Sequence, residues 1–188
     1  EMNIPFAGIS VDLGIFYYVI CLLLLTGIVN SVNLTDGIDG LASGVTLVVG
    51  IFYAAVAAVS DMVAGTELSA VAALLIGSTA GFLVYNFYPA RVFMGDTGSL
   101  FLGGLVVGGA FLTSSPLIVL VCGIVYVAES VSVILQVGYF KLTGGKRLFL
   151  MSPIHHHFEK KGWSEVKIVA VFSAVTAVFC AVAWFGIR

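Results

Sequence analysis

Charge is what this chain has least of. Asp, Glu, Lys and Arg make up 10% of its 188 residues, against about a quarter in soluble domains. So little charge excludes a fully solvated surface. A net charge of −2 and a pI near 5.8 also leave no basic surface for nucleic acid. Cysteine is nearly absent: Cys21, Cys122 and Cys180 all sit inside apolar windows, where a thiol acts as a small hydrophobe. Their spacing excludes a disulfide framework or a zinc site. No basic segment precedes the first apolar window, which argues against a signal peptide.

What the chain does have is apolar length. Hydrophobic residues make up 60% of the sequence, and the mean hydropathy is +1.14. One helical span needs about 20 apolar residues. Windows 13–35, 40–60, 68–90 and 168–187 carry no charge, and 97–140 carries only Glu129. The last is too long for one span, and Thr113-Ser114-Ser115-Pro116 divides it. Barrel strands would alternate over about ten residues, and these windows do not. The expected fold is therefore all-α: a polytopic membrane protein, one membrane domain over 1–188. Its helices are expected near 13–31, 41–60, 67–88, 98–112, 116–140 and 167–187. The segment before them, with Asn3-Ile4-Pro5 and Gly8, reads as the end of a loop or hairpin. The chain opens on Glu1 rather than Met, which suggests a piece of a longer protein.

Six spans place the connections 30–40, 86–97 and 141–166 on one side, with the short connections 61–67 and 113–116 opposite. Arg91, Lys141, Lys146, Arg147, Lys160, Lys161 and Lys167 fall on the first side, and only Arg188 lies opposite. The positive-inside rule makes that first face cytoplasmic.

Polar residues concentrate in those three loops. In the first, Asp36 and Asp39 lie three residues apart, each followed by a glycine (Gly37 and Gly40), and glycines let a ligand approach the backbone. Each aspartate could instead cap the next helix. Asn30 and Asn33 precede them on an apolar helix, and amides at membrane depth are costly unless used. In the second loop, Asn86 leads to Phe93 and to Asp96, which is flanked by Gly95 and Thr97-Gly98-Ser99. Asp96 is either a helix cap or a Mg²⁺ ligand, since that ion takes one or two carboxylates and leaves sites for phosphate oxygens. Phe93 can present a flat face to a base or anchor the interface. The third loop carries His155-His156-His157. Successive side chains diverge, so the three cannot share one metal ion. They suit an anionic phosphate or the positioning of a nucleophile. Lys160 and Lys161 act as topology determinants, while Lys146 and Arg147, beside Gly144-Gly145, suit either a phosphate or anionic lipid. Glu129 and Gln136 share a face of the fifth helix, and an ionisable group in a span is a functional candidate. A buried, hydrogen-bonded structural Glu is the alternative.

At these loops the sequence resembles the MraY family, the phospho-N-acetylmuramoyl-pentapeptide transferases of bacterial peptidoglycan synthesis. The likeness rests on Asn33-Leu34-Thr35-Asp36-Gly37-Ile38-Asp39-Gly40-Leu41-Ala42, Phe93-Met94-Gly95-Asp96-Thr97-Gly98-Ser99-Leu100 and Pro153-Ile154-His155-His156-His157-Phe158-Glu159. Ser132-Val133-Ile134-Leu135-Gln136-Val137 adds to it. The wider superfamily transfers N-acetylhexosamine 1-phosphates to polyprenyl phosphates. Its N-acetylglucosamine-phosphate members share the aspartate loops, and the unbroken histidine run favours MraY over them.

The resemblance implies a Mg²⁺-dependent transfer in the bacterial inner membrane. Phospho-MurNAc-pentapeptide would pass from UDP to undecaprenyl phosphate, giving lipid I and UMP. By that likeness Asp96 is the metal ligand. Asp39, with the backbone of Gly37 and Ile38, holds the uracil, and Phe93 stacks on it. Asn33, Asp36 and Asn86 line the nucleoside and sugar end, with Asn30 and Gln136 as further substrate contacts. His155, His156 and His157 serve the phosphates or the muramoyl portion. A homodimer is also implied. Family members have about ten spans, so this chain corresponds to the C-terminal portion. The remainder would supply an aspartate pair and a lysine. A secondary transporter would account for Glu129 and for Gly103, Gly104, Gly108 and Gly109 within spans. It would place its polar groups near the bilayer midplane, whereas here they crowd one face.

Overall fold

The computed structural model describes residues 2–60 and 62–187. Glu1, Asp61 and Arg188, the last of which was assigned to the face opposite the other cations, lie outside the described residues. The chain opens with an antiparallel hairpin, β1 (Met2–Ile4) and β2 (Ile9–Val11), with Met2 opposite Val11. Helices follow in the order α1 (Phe16–Thr35), α2 (Leu41–Ala57), α3 (Met62–Asn86), α4 (Gly95–Leu112), α5 (Val119–Cys122), α6 (Ile124–Leu142), α7 (Ile154–Lys160) and α8 (Glu165–Ile187). The protein is an all-α, polytopic membrane protein with one small hairpin.

Among the described residues, five helices are long and apolar enough to cross a membrane: α1, α3 over Gly65–Asn86, α4, α6 and α8. The apolar α2 is shorter, at 17 residues, or roughly 25 Å. It is also the most enclosed, with eleven residues buried, and it packs against α3, α8 and α4. Exposed Leu22, Leu23, Leu74, Val84 and Phe185 show how the outer helices differ. Their apolar faces point outward, as a lipid solvent allows.

Lipid gives helices no hydrophobic reason to pack, so close approach and buried polar ties hold them together. A Cβ on Gly103 in α4 would lie 2.8 Å from the Val29 Cα in α1, so glycine there lets two backbones meet. Tyr53 donates to the Val106 carbonyl at 2.7 Å, Thr46 and Tyr126 share a hydrogen bond at 2.8 Å, and Ser31 and Ser130 share one at 2.6 Å. Each tie joins different helices, and in hydrocarbon none has water as a competitor.

Three segments depart from the sequence expectation. The helix expected over 116–140 is broken. Pro116–Ile118 forms a single 3₁₀ turn, α5 follows for four residues, and α6 starts only after Gly123. A Cβ on Gly123 would meet the Val119 carbonyl oxygen at 2.6 Å, so the break needs a glycine. The first helix runs on to Thr35, past the expected end near 31, so Asn33 lies within its last turn. The histidine segment is likewise not an irregular loop but the short helix α7, started by Pro153.

Hydrogen bonds fix the two ends of the bundle. At one, the hairpin is held by Phe6 donating its N–H to the Gly186 carbonyl at 3.4 Å and by Ser115 donating to the Asn3 carbonyl at 3.1 Å. At the other, the end of α1, the start of α2, the end of α3, the start of α4, α7 and the start of α8 converge. The polar sequence motifs meet there.

Candidate active site

The core of this end is the turn 36–40 between α1 and α2. Asp36 ends α1, and Gly40, at φ +77°, starts α2. Neither aspartate caps α2, because the residue at its cap is Gly40 and no side chain bonds there. Asp96 is not a cap either. Met94 occupies that position, and Asp96 sits within the first turn of α4. The carboxylates of Asp36 and Asp96 are therefore not used up by local helix chemistry.

They share one cavity of about 270 Å³ instead. It is lined by Asn33, Asp36, Gly37, Ile38, Asp39, Asn86, Phe93, Gly95 and Asp96. Asn33 donates from Nδ2 to Asp96 Oδ1 at 3.1 Å and to Ser99 Oγ at 2.8 Å, so the amide ties α1 to α4 and orients the carboxylate. Burial pushes the Asp36 carboxyl up from 3.8 to about 6, and the Asp96 charge adds to that rise. Two acids that repel each other across a polar cavity form a site that favours a cation.

Among the described residues, no three His, Cys, Asp or Glu side chains are arranged to hold a metal ion. A site complete from protein ligands alone is thus not what these residues offer. Two carboxylates with room beside them suit a hard divalent ion that keeps waters and takes further oxygens from a phosphate ligand. Asp36 and Asp96 are the residues able to hold one.

The neighbouring groups hold the wall. Asp39 accepts the Ala90 N–H at Oδ2, 2.8 Å away, while its own N–H donates to Glu165 Oε2 at 2.9 Å. Its Oδ1 remains for a ligand. Asn86 is buried and fully engaged: Oδ1 accepts from Gly40 N–H at 3.1 Å and Ser43 Oγ at 3.5 Å, and Nδ2 donates to the Val92 carbonyl at 3.0 Å. It shapes the loop that carries Phe93. That ring is 74% exposed at the mouth of the cavity, free to stack on a planar ligand.

The histidines separate, as the helix geometry of α7 requires. His155 is fully buried and pairs through Nδ1 with Glu129 Oε2 at 3.0 Å; Glu129 is buried as well. The same oxygen accepts the His155 N–H at 3.4 Å. The ring tautomer sets which of the two side chains carries the shared proton, and the other ring nitrogen is Nε2. That nitrogen and Glu129 Oε1 have no hydrogen-bond partner. Nε2 faces Gly37, where an added Cβ would collide with the imidazole, 2.7 Å from Cε1. Glycine at 37 is thus required for the acidic turn to rest on His155. His156 pairs with Glu159 at 2.8 Å, and His157 Nδ1 accepts the Leu150 N–H at 3.1 Å.

Four further expected contacts lie elsewhere. Asn30 donates to the Thr26 carbonyl at 2.7 Å on the exposed side of α1. Gln136 binds the segment after α6, accepting from the Leu148 and Phe149 N–H groups at 3.1 and 2.8 Å and donating to the Phe149 carbonyl at 3.3 Å. Neither it nor His156 or His157 lines the acidic cavity. Sequence reasoning missed Glu165, which looks like an ordinary acidic residue in a helix first turn, and Glu129 as the partner of His155. Both act on groups far away in sequence, so no local signal marks them.

The profile of glycosyl transferase family 4 matches residues 1–115. The chain is 50% identical over 187 residues to a phospho-N-acetylmuramoyl-pentapeptide-transferase of Clostridioides difficile, covering all of this chain and 56% of that protein. Proteins of the same name from Clostridium perfringens and Caldanaerobacter subterraneus are each 51% identical. They cover 98% and 100% of this chain, and 56% and 58% of their own lengths. The chain therefore spans somewhat over half the length of these curated relatives.

Proposed function

Given that the chain belongs to glycosyl transferase family 4, we propose that it is the C-terminal portion of a phospho-N-acetylmuramoyl-pentapeptide transferase of the bacterial inner membrane. The acidic end of its bundle faces the cytoplasm, where a nucleotide sugar is found. The intact protein takes UDP-MurNAc-pentapeptide and undecaprenyl phosphate and yields lipid I and UMP. Two copies associate, as the family resemblance implies. One observation carries the reading: Asp36 and Asp96, distant in sequence, meet in a cavity beside an exposed Phe93.

In the reaction, a phosphate oxygen of the lipid forms a bond to the sugar-bearing phosphorus. The bond from that phosphorus to the UMP oxygen breaks, and UMP leaves with the electron pair. Such a transfer depends mostly on positioning and on neutralising charge. A Mg²⁺ ion held by Asp96, with Asp36 beside it, supplies that neutralisation when bound. Asn33 keeps Asp96 oriented through its bond to Oδ1. Phe93 stacks on the uracil, and Asp39 Oδ1 accepts its N–H while the Gly37 and Ile38 backbone closes over it. The attacking phosphate is already ionised at neutral pH, so no strong base is needed. His155 backs the acidic turn from below, its buried Nε2 set against Gly37.

The test is turnover by the intact protein in detergent, with undecaprenyl phosphate and Mg²⁺. Release of UMP from UDP-MurNAc-pentapeptide, and not from UDP-N-acetylglucosamine, is expected. No release from the first donor overturns the reading, and release from the second alone moves the protein to the N-acetylglucosamine-phosphate branch.

A further inference from the structure

A second polar cavity, of about 580 Å³, opens where α6 leaves the apolar zone. Three cations surround it: Lys141 at the end of α6, Arg147 in the following segment and Lys160 at the end of α7. No described carboxylate pairs with any of them. The walls beneath are Val137, Phe140 and Met151, all substantially exposed. Arg147 donates one N–H to the Leu150 carbonyl at 3.4 Å, which fixes the guanidinium at the rim.

This pairing of a cationic rim with an apolar wall is specific. A soluble anion would use the rim and leave the wall wet, and an uncharged lipid would use the wall and leave three cations unmatched. Leu142 is 89% exposed and Leu148 47% exposed, so the end of α6 and the segment after it present apolar side chains beside Lys141 and Lys146. That composition belongs at the headgroup level of a bilayer. The cavity shares no lining residue with the one holding Asp36 and Asp96, so a phosphate bound there is not placed against those acids. Gln136 lines the cavity itself and, with His157, holds the 148–150 backbone beside the rim.

We propose that Lys141, Arg147 and Lys160 form a binding site for the phosphate headgroup of an acidic glycerophospholipid, with its acyl chain along Val137, Phe140 and Met151. The site is separate from the reacting centre and does not depend on the function proposed above.

The experiment uses the intact protein in mixed micelles of phosphatidylglycerol and phosphatidylcholine, with bound lipid counted by native mass spectrometry. The double variant Arg147→Gln/Lys160→Gln is compared with Lys146→Gln/Lys161→Gln, which removes the same charge from adjacent positions outside the cavity. Retained phosphatidylglycerol falls about tenfold to thirtyfold in the first and stays within about twofold of wild type in the second. The charge-preserving Arg147→Lys/Lys160→Arg keeps the lipid, which separates loss of charge from loss of fold. Equal loss in both glutamine doubles overturns the proposal, because the attraction is then merely general. Displacement of phosphatidylglycerol by undecaprenyl phosphate at equal concentration overturns it as well, by assigning the site to the acceptor lipid. Displacement by millimolar inorganic phosphate does so too, because the apolar wall then contributes nothing.

Discussion

The two ends of this helix bundle carry cavities of opposite character. At the hairpin end the space is large, about 740 Å³, and is lined by Asn3, Ser10, Ser60, Thr113, Ser115 and apolar neighbours, with no titratable side chain among its described lining residues. At the other end the space is about a third as large, yet three aspartates border it. Size therefore misleads here. Hydroxyls and amides can hold a neutral ligand, but only the smaller cavity can oppose or recruit charge. The hairpin end closes the bundle, and the acidic end gathers carboxylates around its cavity.

The sharpest way to break that contrast is Asp96→Asn in the intact protein. Turnover is expected to fall about a thousandfold or more, with thermal stability unchanged or slightly raised, because a repulsive neighbour of Asp36 is gone. Retained turnover would overturn the proposed role of Asp96 as a metal ligand. Next in size is Glu129→Ala, which strands a buried imidazole. Breaking a buried pair from one side costs about 3–5 kcal/mol, read as a lower unfolding temperature in detergent. An unchanged midpoint would show that the bond from His155 to Glu129 holds nothing.

A smaller effect tests the electrostatics. The folded Asp36 carboxyl lies near 6, above its ordinary 3.8. The fold carries no penalty from it below 3.8, where both states are protonated. Its contribution is lost as pH rises through the window up to about 6, and above that the full cost of a buried charge remains. In protein freed of divalent ions, the Asp36 carboxyl band in difference infrared spectra should therefore titrate near pH 6. In Asp96→Asn it should move down without reaching 3.8, since burial is the larger cause and remains. A band left unmoved by Asp96→Asn would refute the close approach of the two acids. The smallest effect belongs to the other end: Ser115→Ala removes the bond to Asn3 and costs about 1 kcal/mol, with turnover within twofold of wild type. A large loss of activity there would erase the distinction between the two ends.

Much of the acidic site could be read from the sequence, because its motifs are short and local. Asp36, Gly37, Ile38 and Asp39 lie on one turn, and Phe93, Gly95 and Asp96 on another. Residue chemistry alone singled out Asn33, Asp36, Gly37, Asp39, Phe93 and Asp96; Ile38 and Asn86 entered only through the family resemblance, and Gly95 only as a flank of Asp96. The helices were legible for the same reason, since apolar windows of span length admit few other structures in a bilayer. Less legible were Asn86, whose polar atoms are all engaged with the chain itself, and Glu165, whose one visible partner is a backbone N–H 126 residues away.

By itself the sequence determined that the chain is helical, that it belongs in a membrane, and which polar residues cluster between its spans. Those facts follow from hydropathy and from residues near one another along the chain. Tertiary structure alone decided that Asp36 faces Asp96, that Glu129 holds His155, and that Gly37 must lack a side chain to rest on that imidazole. Each of these joins elements brought together only by packing. Hydropathy says which segments enter the bilayer; it does not say which faces meet there, because lipid accepts every apolar face equally.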